Sequence, residues 1–155
     1  METPLVSIVC LCYNHERFIE EAVNSVWQQT HKNIQLILVD DASTDSSVER
    51  IKALKDQYPA MEIILLPKNV GNCRAFNQGY ARVKGDYIID LAADDILLPA
   101  RVEKGVKAFQ AASPRYGVHF SDAEWIHEYG DHLFFHCRVS CLAAPRQWDP
   151  IAAGA

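Results

Sequence analysis

Short apolar runs alternate four times with amphipathic stretches in the N-terminal part of the chain, and the connections between them are short. The runs are rich in β-branched residues, which predicts strands at residues 5–12, 34–39, 61–66 and 87–91. A strand, a helix and a second strand in succession form the unit from which parallel sheets are built. The pattern therefore predicts an α/β fold with a doubly wound, mainly parallel sheet flanked by helices.

The helices are predicted from apolar spacing and from the residues at their ends. The first covers residues 16–29, with Asn14 as its N-cap and Glu16 near its positive end. Residues 43–45 are expected to cap a second helix, a third follows Gly71, and a fourth begins at Pro99. Beyond these helices, a fifth strand is predicted at residues 117–120, followed by a ribbon with its turn at residues 130–131.

The composition is that of one folded domain, which is expected to cover residues 1–155. Of the 155 residues, 49% are hydrophobic and 23% are charged. The net charge of -5 and the lack of a basic stripe argue against a nucleic-acid partner. No apolar run approaches the roughly 20 residues of a membrane span, and no signal peptide is recognisable. We therefore expect reduced cysteines and a cytoplasmic protein, or one held peripherally at the inner face of a membrane.

Two acidic pairs, Asp40-Asp41 and Asp94-Asp95, follow the second and the fourth predicted strands. Open α/β sheets bind their ligands at the carboxyl ends of the strands. If the first strand lies between these two, the pairs converge to within about 15 Å, a gap that extended side chains and one small ligand bridge. Carboxylate oxygens suit Mg²⁺ or Mn²⁺, and they also accept hydrogen bonds from base and ribose groups.

Capping is the structural alternative for both pairs. Asp41 or Ser43 would cap the second helix, whereas Asp94 and Asp95 would cap the turn before Pro99. Adjacent carboxylates repel each other, so either pair requires a cation or hydrogen-bond donors nearby.

Three further residues near the strand ends are candidates for ligand contact. Tyr13, just past the first strand, is either a stacking surface for a planar base or a packing aromatic. Lys68 and Arg74 either contact an anion or are ordinary surface charges. The sequence lacks the glycine-rich motifs of dinucleotide-binding and P-loop proteins, so a bound diphosphate would need another partner, such as a metal held by Asp95.

A zinc site is disfavoured, although four residues superficially resemble zinc ligands: His132, His136, Cys137 and Cys141. The adjacent His136 and Cys137 would point to opposite faces of a strand, which prevents them from sharing one metal ion.

Several short segments occur in a fixed order: PLVSIVCLCYN at 4–14, SVWQQT at 25–30, VDDASTD at 39–45, NVG at 69–71, NQG at 77–79, GDYI at 85–88 and ADD at 93–95. Taken together, this series resembles the family 2 inverting glycosyltransferases of the GT-A fold, over roughly residues 4–125. The resemblance implies a sugar transfer from a nucleotide-sugar, typically a UDP-sugar, to an acceptor hydroxyl on a saccharide or a lipid-linked molecule.

The resemblance also implies roles for individual residues. Asp40 would accept a hydrogen bond from the base, and Tyr13 would lie against that base. Asp94 would contact the ribose or the metal shell, and Asp95 would coordinate Mn²⁺ or Mg²⁺ bridging the diphosphate. Arg74 would contribute to the nucleotide-sugar site if it turns towards the ligand.

Three departures from the family pattern stand out. Ala92 occupies a position where many members have an additional Asp, and Phe76 one where many carry Arg. No general base is recognisable after the metal motif, although Asp122 and Glu124 are within range. We therefore expect the donor-binding half of an enzyme, whose exposed apolar residues Phe134, Phe135 and Trp148 face a missing segment or a partner chain.

Two other functional classes remain open. A Mg²⁺-dependent phosphoacceptor domain also gathers aspartates at strand ends, but it requires an acidic pair after the first strand and a Lys after the fifth. Tyr13-Asn14-His15 follows the first strand, and no Lys follows Phe120. A non-catalytic nucleotide-binding or interaction module would retain the fold without turnover.

Overall fold

The computed structural model describes residues 3–113, 115–121, 123–127, 132–133 and 142–143. These residues fall into two compact units that divide between Lys104 and Gly105. No helix among the described residues is both long and apolar enough to cross a bilayer. The single domain expected over residues 1–155 stays a prediction.

The first unit contains a four-stranded sheet in which all neighbouring strands are parallel. Its strands lie in the order β3-β2-β1-β4. Their bounds are β1 Val6–Cys12, β2 Ile34–Asp40, β3 Glu62–Leu65 and β4 Tyr87–Ala92. The predicted parallel sheet is therefore confirmed, and β1 lies between the two strands that the acidic pairs follow.

The central strands are mainly apolar because both of their faces are buried. Every residue of β1 is buried, and so are the last five of β2. One face forms a cluster with Ala75 of helix α3 (Asn72–Tyr80) through Val9, Leu11, Ile37 and Val39. A parallel sheet that is covered on both sides gives continuous hydrophobic runs of this kind rather than alternation.

Gly79 allows α3 to approach the sheet closely. A Cβ atom at this position would lie 2.6 Å from Val9 Cγ1 and 3.0 Å from Val39 Cγ2. Because real Cβ atoms do not come so close, any side chain here would push the helix away from β1 and β2. Gly71, just before the helix, instead has a φ of 86°, a backbone conformation that favours glycine.

The other helices are α1 (Ile19–Trp27), α2 (Ser47–Gln57) and α4 (Arg101–Ala111). Helix α1 begins three residues later than predicted, and Asn14 is not its N-cap. Asn14 has a φ of 60°, and its side-chain oxygen accepts a hydrogen bond of 2.7 Å from the Thr44 N–H. The side chains predicted to start α1 bind the neighbouring loop instead, since the Glu16 carboxylate accepts the Ser46 N–H at 2.8 Å.

The second unit contains two antiparallel strand pairs. Strand β5 (Val118–His119) pairs with β8 (Leu142–Ala143), and β6 (Trp125–Ile126) pairs with β7 (His132–Leu133). The predicted fifth strand and the predicted ribbon are both present. The remaining predictions for this region concern residues outside the described ones: the turn at 130–131, Asp122, Phe134, Phe135, Trp148 and three of the four zinc-like residues, His136, Cys137 and Cys141.

Candidate functional site

The acidic pairs lie at the same edge of the sheet, on either side of the end of β1. Cys12 is level with Asp40 in β2, and Leu11 is level with Ala92 in β4. Beyond these pairs, the Asp41 N–H donates to the Cys12 carbonyl at 2.9 Å and the Ala93 N–H donates to the Leu11 carbonyl at 2.8 Å. Because neighbouring strands are about 4.8 Å apart, the two chain segments are separated by about 10 Å. This spacing agrees with the predicted convergence.

Asp40 is buried and bound to its own turn. Its residue exposure is 1%, and its carboxylate accepts hydrogen bonds from the Ser43 N–H, at 2.9 Å, and from the Ser43 hydroxyl. The same hydroxyl oxygen accepts the Asn14 N–H at 2.9 Å. Ser43 therefore joins Asp40 to the loop that follows β1. A carboxylate has about four acceptor positions, so Asp40 retains capacity for a further donor.

Asp41 does not cap α2, which was the structural alternative for this residue. Its carboxylate accepts the Val70 N–H at 2.7 Å and the Gly71 N–H at 2.9 Å. The capping alternative is wrong for Asp41 because the side chain turns away from α2 towards the segment that enters α3. Ser43, bound to Asp40, does not cap α2 either; the Ser47 N–H at its start donates to Asp45 at 2.9 Å.

Asp94 and Asp95 are exposed, in contrast to the first pair. Within the described part of the chain, neither carboxylate accepts a hydrogen bond from a main-chain N–H, so the capping alternative is also wrong for this pair. Although the residue is exposed, its carboxyl group is partly shielded from water; this partial desolvation and repulsion by Asp94 raise the pKa of Asp95, whereas His15 opposes this shift. The Nδ1 atom of His15 lies 3.8 Å from Asp94 Oδ1. The second pair is thus short of donors and unfavourable without a cation.

The loop of residues 13–15 lies between the two pairs. Tyr13 is 45% exposed, as a surface that stacks on a base requires. The His15 N–H donates to Ser47 Oγ at 3.0 Å, which fixes the loop to the start of α2. His15 was not among the predicted site residues, because a single histidine after a strand has no spacing pattern that would reveal its neighbour.

The candidate cations are both exposed. Arg74 lies in the first turn of α3, whose entrance Asp41 fixes, and Lys68 lies in the preceding loop. Phe76, which replaces the Arg found in many family members, packs against the Val9 cluster and stacks on Tyr80 with a centroid distance of 6.1 Å. The side chain at position 76 is therefore part of the core packing. Arg74, in the same helix turn, is the cation that is exposed to solvent.

The donor atoms available here fit a divalent metal that is bound together with its substrate. Within the residues that the structure describes, no group of three or more His, Cys, Asp or Glu side chains forms a complete metal cage. Mg²⁺ and similar hard cations are commonly held by one or two carboxylates, with phosphate oxygens and water completing the shell. The exposed Asp94-Asp95 pair, which lacks protein donors, has the chemistry of such a partial site.

The fold is that of the GT-A glycosyltransferases. The mannosyltransferase PcManGT from Pyrobaculum calidifontis, solved with GDP-Man and Mn²⁺, superimposes with a TM-score of 0.64 and 23% identity, covering 76% of this chain and 35% of that chain. S. aureus TarS residues 1–349 in complex with UDP gives a TM-score of 0.62 and 20% identity, covering 68% and 32%. At this identity the likeness establishes the fold alone.

The sequence itself establishes the family. The model described as Glycosyl transferase family 2 matches residues 7–133, and the chain belongs to that family. An uncharacterized glycosyltransferase of Nostoc sp. is 35% identical over 117 residues, which cover 76% of this chain and 36% of the relative. The putative glycosyltransferase EpsE of Bacillus subtilis is 38% identical over 118 residues, covering 74% and 41%. The chain thus spans well under half the length of these relatives.

Proposed function

We propose that this chain is the donor-binding part of a metal-dependent glycosyltransferase. It binds a nucleotide-sugar, for which a UDP-sugar is the first candidate, and serves its transfer with inversion to an acceptor hydroxyl of a saccharide or a lipid-linked molecule. One observation carries the proposal: a buried acidic pair bound by protein donors and an exposed pair short of donors lie at the same edge of a parallel sheet. The buried pair holds the loops together, and the exposed pair is available to bind a cation and its anionic ligand.

Each part of the donor has a proposed partner. The exposed ring of Tyr13 lies against the base, and Asp40 accepts a hydrogen bond from a base N–H with its remaining lone pairs. Asp94 contacts the ribose or the metal shell. Arg74, exposed at the start of α3, reaches the diphosphate.

The metal, Mn²⁺ or Mg²⁺, is held by Asp95 with help from Asp94. When bound, it supplies Lewis-acid stabilisation of the departing nucleoside diphosphate. Without a cation, partial desolvation and repulsion by Asp94 both raise the pKa of Asp95, and a bound cation would offset the repulsion. Ala92 gives this shell no third carboxylate from the end of β4, so the pair carries more of the binding than in family members with an additional Asp.

The identity of the donor's nucleobase is proposed from structural neighbours, and the nucleotides bound to those neighbours differ. TarS was solved with UDP and with UDP-GlcNAc, whereas PcManGT was solved with GDP-Man. We propose residues 1–155 as one nucleotide-sugar-binding domain in the cytoplasm, or at the inner face of a membrane. Acceptor binding falls to a further segment or to a partner chain.

Titration calorimetry of the purified chain with UDP tests this function directly. We expect UDP to bind in the presence of Mn²⁺ and to bind much more weakly in EDTA. GDP, titrated in the same way, tests whether the site prefers uracil or guanine as the nucleobase. Failure of both nucleotides to bind with Mn²⁺ would contradict the proposed function, and phosphorylation of an Asp by acetyl phosphate would favour the phosphoacceptor class instead.

A further inference from the structure

Gln29, at the C-terminal end of α1, is a fully buried polar residue that lies outside the donor site described above. Its residue exposure is 0%, and Ser25, one helical turn earlier, is 5% exposed. Both belong to the segment SVWQQT at residues 25–30, for which the proposed function gives no role. A buried amide is costly unless its hydrogen-bonding groups are satisfied, so its partners indicate its purpose.

All but one of the partners of the Gln29 side chain lie in the segment after the exposed acidic pair. Its amide nitrogen donates to the carbonyl oxygens of Leu97, at 3.1 Å, and Leu98, at 2.9 Å. Its amide oxygen accepts the Val102 N–H at 3.1 Å. The remaining contact is local, from the amide nitrogen to the Ser25 carbonyl at 3.1 Å. One side chain therefore binds the main chain at both ends of residues 97–102.

Two neighbours of Gln29 strengthen the same attachment. The hydroxyl oxygen of Ser25 accepts the Leu97 N–H at 3.1 Å while it donates to the Ala22 carbonyl at 2.7 Å. The Thr30 N–H donates to the Pro99 carbonyl at 2.8 Å. Residues 97–99 are thus bound through their main chain to the end of α1 rather than to a neighbouring strand.

These hydrogen bonds matter because residues 96–100 belong to no helix or strand. Among the described residues, the other main-chain hydrogen bonds of this segment are local: the Leu98 carbonyl accepts the Arg101 N–H at 2.8 Å and the Ala100 carbonyl accepts the Lys104 N–H at 3.0 Å. Leu98 is 63% exposed, so its burial contributes little. The segment begins directly after Asp95. Asp94 and Asp95 are adjacent carboxylates that repel each other, and an unattached segment would permit a movement that separates them.

We propose that Gln29, assisted by Ser25, is a positioning residue that fixes residues 97–102 and so holds the Asp94-Asp95 pair in the arrangement that binds the metal and diphosphate. This inference rests on the proposed function, since it assigns the pair to a metal site. Supporting partners that orient metal ligands typically contribute about 10- to 100-fold in metal affinity.

The test compares the parent chain with Gln29→Met, which keeps a long unbranched side chain and removes the amide. Gln28→Met is the matched control, because Gln28 is the exposed neighbour of Gln29. Binding of UDP, and of GDP in parallel, is titrated at a series of Mn²⁺ concentrations. We expect Gln29→Met to raise the Mn²⁺ concentration for half-saturation by about 10- to 100-fold, with unchanged binding stoichiometry and nucleotide affinity restored at saturating Mn²⁺. Gln28→Met should match the parent chain.

A merely structural role for Gln29 gives a different result. It would lower the fraction of binding-competent chain, and hence the stoichiometry, while the Mn²⁺ half-saturation stays at the parent value; that outcome overturns the inference. If Gln29→Met does not fold, Ser25→Ala provides the test. It removes one acceptor from residues 97–102, that of the Leu97 N–H, together with the local hydrogen bond to the Ala22 carbonyl, and should raise the Mn²⁺ half-saturation by a smaller factor. An unchanged half-saturation in folded Ser25→Ala would then overturn the inference.

The two proposals fail in different ways. If the parent chain binds neither UDP nor GDP in a Mn²⁺-dependent manner, the proposed function fails and the inference falls with it. If the parent chain does so and Gln29→Met behaves like Gln28→Met, only the positioning role is wrong.

Discussion

The residues of the two acidic pairs are chemically identical, yet their surroundings give them opposite properties. Asp40 and Asp41 are buried, and each carboxylate accepts two hydrogen bonds from protein donors. Asp94 and Asp95 are exposed, and the pKa of Asp95 is raised by partial desolvation of its carboxyl group and by the charge of Asp94. A buried carboxylate with donors stabilises a loop, whereas a carboxylate without them has unused affinity for a cation.

The first prediction separates the two members of the buried pair. Asp40→Asn should weaken UDP binding by roughly 5- to 150-fold, corresponding to about 1–3 kcal/mol, because it unpairs a base donor. Asp41→Asn removes the same charge one residue away, but should mainly lower the free energy of unfolding, by about 1–3 kcal/mol, since it weakens the bonds to Val70 and Gly71. Calorimetry and urea denaturation measure the two effects. Equal nucleotide affinities in both variants and the parent would remove Asp40 from the site.

The second prediction concerns the metal ligand. Asp95→Asn should largely abolish the dependence of UDP binding on Mn²⁺, because a neutral amide is a weaker ligand for a hard cation. Asp56→Asn, on the exposed side of α2, is the control for loss of one negative charge. Calorimetric titration with and without EDTA distinguishes the variants. Full Mn²⁺ dependence in Asp95→Asn would place the metal elsewhere.

The third prediction is the pH dependence of stability in the metal-free chain. The pKa of Asp95 is raised above its ordinary 3.8, so the folded state binds a proton at Asp95 more tightly than the unfolded state does. The contribution of this group to stability is therefore fully present at low pH and is lost as the pH rises through the raised pKa. Asp94→Asn removes one cause of the shift and should make this loss smaller.

Thermal melting in EDTA, from acid to neutral pH, measures how much stability the parent chain and Asp94→Asn each lose as the pH rises. At neutral pH, Asp94→Asn should melt at a higher temperature than the parent, and added Mn²⁺ should stabilise the parent more than the variant. A parent and variant whose melting temperatures run parallel at every pH would show that Asp94 does not influence Asp95.

At the scale of elements, α3 depends on two glycines for different reasons. Gly79 allows close packing on Val9, whereas Gly71 has a positive φ of 86° with a ψ of 155°, a backbone region almost exclusive to glycine, and nothing lies within 4 Å of its missing side chain. Steric overlap and backbone strain are therefore separated in neighbouring parts of the same helix. Both bear on the site, because α3 carries Arg74 near its start.

The fourth prediction tests these two causes. Gly79→Ala should lower the free energy of unfolding by about 1–3 kcal/mol through overpacking. Gly71→Ala should lower it by about 1–3 kcal/mol through backbone strain. Val9→Ala should relieve the overlap in Gly79→Ala but not the strain in Gly71→Ala, as a double-mutant cycle in urea can show. Exposed Gln78→Ala is the control, and additive effects of Val9→Ala with both glycine variants would contradict the packing argument.

At the scale of the whole molecule, the chain matches between 31% and 42% of the length of three related glycosyltransferases. The residues that match the family model, 7–133, include both acidic pairs. Inverting transfer also requires a base within about 3 Å of the acceptor hydroxyl and a pocket that positions the acceptor. Positioning alone contributes about 7–11 kcal/mol of barrier lowering in favourable cases.

The fifth prediction follows because transfer requires a general base and an acceptor pocket in addition to a donor site. We expect the purified chain to bind a nucleotide-sugar but to transfer or hydrolyse it slowly, as measured by release of the nucleoside diphosphate. Robust turnover that is lost in Glu124→Ala or Asp122→Ala would contradict this expectation and identify the base. Binding without turnover, even when an acceptor-binding partner is added, would favour the non-catalytic module.

The parallel sheet and the family were predictable from the sequence alone, whereas the position of β1 between β2 and β4 entered only as a condition and was observed in the structure. Continuous apolar runs such as β1 are possible only where both faces of a strand are covered, and four strand-helix units in succession permit few topologies. The placement of the acidic pairs at strand ends follows directly from these local patterns, because residues adjacent in sequence remain adjacent in space.

The hydrogen-bond partners of the polar side chains became visible only in the tertiary structure. The partners of the Asn14 and Asp41 side chains lie about thirty residues away along the chain, and all but one of those of Gln29 lie about seventy residues away. No local spacing encodes such pairs, so a local reading assigned Asn14 to the nearest helix and offered the same role for Asp41. Hydrogen bonds between distant loops depend on how the sheet brings those loops together, and that is settled only when the core has packed.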